Sequence, residues 1–163
     1  MAARKSNKAR RKKNQAPKRL FKQELSTPVP LFRPELNALI PPGDIGIYEP
    51  DGVEKMSKVL QVFMEPYWGL AESEDAARSL LALAAAAWNA TLLPEDQRNA
   101  MLDEILRTGF ARSSAKDRVA AREFIETMIR RKEELFASNR RMIASFKLTN
   151  LGDQYHLSVA SSF

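Results

Sequence analysis

The chain has no cysteine and a single histidine, His156. Without thiols there are no disulfides, no thiolate nucleophile and no thiolate metal site, and one imidazole cannot assemble the usual zinc ligand set. No Glu-x-x-His occurs, which removes the di-iron bundle pattern. No Walker loop and no Gly-rich dinucleotide fingerprint occurs either. No cofactor is therefore expected. No apolar run reaches the length needed to span a bilayer, and the N-terminus is charged where a secretory signal has an apolar core. Position 2 is alanine, so a myristoylation signal is lacking too. The expectation is a soluble cytoplasmic protein with no membrane role.

Paired carboxylates that could share acid–base work are also missing. Asp103-Glu104 and Glu133-Glu134 are adjacent in sequence, and neighbours on a helix do not face each other. Ser158, Ser161 and Ser162 have no base near them in sequence except His156, which strand alternation puts on a polar face. No catalytic residue is assigned, and the chain reads as non-enzymatic.

What is present is a split of charge. Residues 1–23 hold Arg4, Lys5, Lys8, Arg10, Arg11, Lys12, Lys13, Lys18, Arg19 and Lys22 and no acid, although the whole chain is only +6. The other 140 residues therefore sum to −4. Residues 1–19 have too little apolar content to offset ordering entropy, so a disordered basic arm is expected there. Such an arm suits the neutralisation of phosphates. Residues 20–50 form a connector. Pro28, Pro30, Pro34, Pro41, Pro42 and Pro50 prevent a continuous helix, while Leu20, Phe21, Leu31, Phe32, Leu36 and Ile40 are too apolar for a free linker. Part of this segment is expected to pack on the domain, with 44–48 (DIGIY) as a candidate short strand.

Residues 51–163 read as a helical domain organised around 76–88, AARSLLALAAAAW. A helix apolar on every side belongs at the centre of a bundle. Asp51 and Glu54 have the spacing of a capping box for a first helix, whose apolar line runs Val53, Met56, Val59, Leu60, Phe63, Met64. Pro66 and Gly69 interrupt it. Ser73 opens the central helix, with Glu74 and Asp75 near its positive end. Pro94 starts a third helix, which buries Met101, Leu102 and Ile105 and is closed by Gly109. Ser114-x-x-Asp117 caps a fourth, whose core line is Ala121, Phe124, Ile125, Met128, Ile129, Leu135 and Phe136. Arg122, Glu126, Arg130 and Glu134 should form an exposed ion ladder. Tyr67, Trp68 and Trp88 read as core plugs at helix ends, with a pocket lining as the alternative.

The C-terminus changes to a period of two. Met142, Ala144, Phe146 and Leu148 alternate with polar residues, as do Tyr155, Leu157 and Val159. A two-residue loop at Gly152-Asp153 pairs Leu148 with Leu157 and Phe146 with Val159, so that all four share a face. A lone hairpin is marginal and must pack on the helices or gain a third strand. The fold class expected is mostly α: a compact bundle of about four helices with a C-terminal β-hairpin.

The leading function is a binding protein whose arm contacts nucleic acid, RNA or a ribonucleoprotein, with the helical body as an interaction module or homodimer. A second basic group, Arg130, Arg131, Lys132, Arg140 and Arg141, could extend that contact onto the body. The alternative is a protein–protein adaptor whose arm serves only solubility.

Overall fold

The computed structural model describes residues 53–152 and 154–162. The basic arm, the connector and the strand expected at 44–48 lie outside the described residues. Within them are four helices, α1 Met56–Met64, α2 Glu74–Ala90, α3 Glu95–Gly109 and α4 Ala115–Leu135, followed by an antiparallel hairpin of β1 Met142–Asn150 and β2 Tyr155–Ser162. A 3-10 turn, Trp68–Leu70, joins α1 to α2.

The helix starts are set locally. Ser73 accepts a hydrogen bond from the Ala76 amide at 3.1 Å, and Glu74 and Asp75 occupy the first turn of α2. At α4, Ser114 Oγ accepts from the Asp117 amide at 3.2 Å and donates to Asp117 Oδ2 at 2.6 Å. Each such cap stabilises its helix by about 1 kcal/mol. Other starts and stops differ from expectation. α1 begins at Met56 after an uncapped Lys55, so Glu54 precedes the helix and cannot close a capping box. Val53 is exposed rather than core. Pro94 is the N-cap of α3, not its first residue, and Gly109 is its last helical residue, with Phe110 following as C-cap.

From Leu83 to Ala90 every side chain of α2 is buried. α4, α3 and β1 pack around it, and α1 packs against β2. The alanines at 84, 85, 87 and 90 are fully enclosed; their small size lets the neighbouring elements approach closely. Phe63 on α1 is the aromatic hub, edge-on to Tyr67, Trp88 and Phe136 at centroid distances of 6.3, 5.5 and 6.0 Å. Leu135, expected in the core, is exposed: α4 ends there, and Phe136 turns in instead, 5.5 Å from Trp88.

The hairpin register is the one derived from the turn. Leu148 faces Leu157 and Phe146 faces Val159. The Leu151 amide donates to the Gln154 carbonyl at 2.9 Å. Gly152 has φ of +98°, the only positive φ among the described residues, as the first position of a primed turn requires.

Near the start of β1 the alternation breaks. Ile143 pairs with Ser161 and Ser145 with Ala160, leaving Ala144 as an unpaired bulge. The extra residue reverses the facing, so Ile143 is enclosed in the core, where Met142 and Ala144 were expected. Asn89 of α2 holds the bulge. Its Nδ2 donates to the Ile143 carbonyl at 2.8 Å, and its Oδ1 accepts from the Ile143 amide at 2.9 Å. Replacing Asn89 with Leu would strand both backbone groups, each at about 1–3 kcal/mol. We expect Asn89→Leu to lower unfolding free energy by about 2–5 kcal/mol in urea and to deprotect the Ile143 amide to exchange. Wild-type stability and protection in this variant would rule out the clamp.

Candidate nucleic-acid interface

The arm cations Arg4, Lys5, Lys8, Arg10, Arg11, Lys12, Lys13, Lys18 and Arg19 lie outside the described residues. The second basic group is visible, and its members take different directions. Arg130 is exposed and donates to Thr127 Oγ1 at 3.1 Å. Arg131 crosses to α1, where its Nε donates to the Phe63 carbonyl at 3.0 Å and its Nη2 to the Val62 carbonyl at 3.1 Å. α1 has no basic residue in its own last turn, so α4 supplies the cation that its carbonyl end favours.

Lys132 turns inward. It is 3 % exposed, and its ammonium lies 5.2 Å from the Trp88 ring centroid. Burial pushes this amine below the usual lysine range; the positive charge of Arg140 acts in the same direction, and Glu133 opposes. Arg140 is exposed. Arg141 curls on Asn139, whose Oδ1 accepts from its amide at 3.2 Å and its Nε at 3.3 Å. The Arg141 carbonyl accepts from Trp88 Nε1 at 2.8 Å. The structure thus brings Lys132 and the Arg141 backbone to Trp88, near the C-terminal end of α2. Arg131, through its bond to the Phe63 carbonyl, lies on the side of Tyr67, whose ring is edge-on to Phe63. Burial raises the Tyr67 phenol above its ordinary range, while Arg131 and Arg130 pull it the other way.

The inward turn of Lys132 is legible in the sequence. It continues the spacing of Ala121, Ile125 and Met128, all buried, at intervals of four, three and four residues, so a helix must place it on the same stripe. Asn89 left no such signal, because its partner is Ile143 of β1, 54 residues away.

The expected ion ladder forms in part. Arg122 meets Glu126 at 3.1 Å and also reaches Asp103 of α3 at 2.5 Å. The Asp103 contact is the main reason its guanidinium is held more firmly protonated than usual. Exposed pairs of this kind contribute only about 0.2–1 kcal/mol each.

The described residues hold fifteen lysines and arginines against fourteen carboxylates, so the body is almost neutral. The acidity outside residues 1–23 sits in residues 24–52, where Glu24, Glu35, Asp44, Glu49 and Asp51 are balanced in number only by Arg33. The chain therefore runs from strongly basic to acidic to near neutral.

His156 is exposed and opposite Thr149. Among the described residues no group of His, Asp and Glu side chains is placed to hold a metal ion. No described helix is long and apolar enough to cross a membrane. Trp88 is enclosed and Tyr67 buried, while Trp68 packs half-buried on the core. Comparison of the chain with protein-family models, with curated proteins and with solved structures gives no match.

Proposed function

We propose that this is a non-enzymatic nucleic-acid-binding protein, directed to RNA or a ribonucleoprotein, whose basic arm neutralises backbone phosphates while the helical body serves as an interaction module. The observation that carries this reading is the arm itself: ten cations within 23 residues and no acid among them. Lysine and arginine there are interspersed with Ala, Asn, Gln and Ser, and no aromatic precedes Phe21. Contacts of this kind position a protein on the backbone and read few bases, so sequence preference should be slight. On the body, the exposed Arg130 and Arg140 are the members of the second basic group that remain to extend this contact.

Phosphate neutralisation releases condensed counterions, so affinity must fall steeply with salt. Fluorescence anisotropy with a labelled single-stranded RNA should show the full-length protein losing at least about a hundredfold in affinity between roughly 50 and 200 mM salt. Absence of binding to RNA or DNA at the lower salt would end this reading and leave the adaptor reading in its place.

A further inference from the structure

Charge in the folded part of the chain is sorted by element. All fourteen described side-chain carboxylates lie from Glu54 to Glu134, where they outnumber twelve lysines and arginines. Beyond Glu134 the described residues hold Arg140, Arg141, Lys147 and His156 and no side-chain carboxylate. Asp153, in the turn, is the one acidic residue of that stretch of sequence. After the arm, the hairpin is the second part of the chain nearly free of acids.

The hairpin register puts this chemistry on one surface. Leu148 and Leu157 are buried, with α2 packed on β1 and α1 on β2. Strand alternation therefore turns Ser145, Lys147, Thr149, His156 and Ser158 to the opposite side. Lys147 stands opposite Ser158, and Thr149 opposite His156. Side chains paired in this way start about 5 Å apart, and the diagonal neighbours are within reach of a long side chain. Thr149 is half-buried and the other four are exposed. None of the five has a side-chain hydrogen bond or ion pair among the described residues. The carboxylate that does approach the hairpin is Glu74 of α2, which accepts from Asn150 at 3.3 Å, and alternation places Asn150 on the face of Leu148. The outer face is thus an ammonium, an imidazole and three hydroxyls, which meet a phosphate without repulsion. Lysine, serine and threonine side chains are among the groups that bond phosphate and sugar oxygens. No Phe, Tyr or Trp lies on this face to stack a base.

We propose that the outer face of the β1–β2 hairpin, centred on Lys147, Thr149, His156 and Ser158, docks the folded body on the sugar–phosphate backbone of RNA. This rests on the nucleic-acid reading above and names the surface of the body that takes part. The arm supplies most of the attraction, and the hairpin fixes the body against the strand.

The chain's single histidine lies on this face, so its imidazole C–H resonances report occupancy without overlap from another histidine. The experiment is an NMR titration of the ¹⁵N-labelled full chain with a short single-stranded RNA at low salt and constant pH. His156 should shift saturably, together with the amides of Ser145, Lys147 and Ser158. Lys147→Gln should weaken RNA binding about fivefold and lower the salt slope by about 0.7, as loss of one phosphate contact to a single strand requires. Ser158→Glu sets a carboxylate opposite Lys147 and should weaken binding further. Lys116→Gln, at an exposed position at the start of α4, should leave the His156 shift in place. If RNA binds while His156 and these amides stay still, or if Lys147→Gln keeps the wild-type affinity and slope, the hairpin surface is overturned and the reading of the arm stands. If no RNA binds the full chain, the nucleic-acid reading falls and the surface with it. An equal His156 shift with polyglutamate would make the face a general anion surface and overturn its assignment to RNA.

Discussion

Leu83→Asp should yield a protein with no cooperative thermal transition and no near-ultraviolet signature of packed tryptophan. Leu83 is 1 % exposed in a stretch of α2 buried on every side. The substitution removes an apolar side chain whose burial contributes about 1.5–3 kcal/mol. It also places a carboxylate out of reach of water, at a further cost of several kcal/mol unless it protonates. Their sum is comparable to the roughly 5–15 kcal/mol that holds a domain of this size together. The introduced carboxyl would titrate above its ordinary range, so what remains of the fold should strengthen on acidification and weaken as pH rises. Circular dichroism melts at two pH values check both points. A cooperative melt near the wild-type temperature would mean that α2 is not the centre of the bundle.

Deleting residues 1–19 should leave the melting temperature unchanged and reduce RNA affinity by about a hundredfold or more at low salt. The deletion removes nine cations, Arg4, Lys5, Lys8, Arg10, Arg11, Lys12, Lys13, Lys18 and Arg19. What remains is an acidic connector joined to a nearly neutral body, so long-range attraction to a polyanion largely disappears. The residual affinity should be weak and should fall further in Arg130→Gln and Arg140→Gln, whose side chains are exposed. The salt slope separates two outcomes: a truncated protein that keeps both affinity and slope has its phosphate contacts elsewhere. Loss of thermal stability on truncation would assign the arm a structural role.

The expected function and the expected fold rest on different parts of the chain. The function proposed for the arm follows from composition alone, because phosphate neutralisation depends on the number and sign of charges more than on their placement.

Local chemistry determined the number and type of the elements, the caps at Ser73 and Ser114, the buried centre at α2 and the register of the hairpin. Each of these is settled within a turn of helix or across a tight loop, where a few residues fix the outcome. Other features depend on which distant surface happens to cover a position. Ile143 faces the core because Asn89, far away in the chain, satisfies the backbone groups that the bulge sets free. Leu135 is exposed and Phe136 packs because α4 stops where Phe63 and Trp88 offer a surface to only one of them. Arg131 is drawn to the carbonyls at the end of α1. Sequence periodicity gives the direction of a side chain around its own axis, and only the packed tertiary structure supplies the partner that waits there.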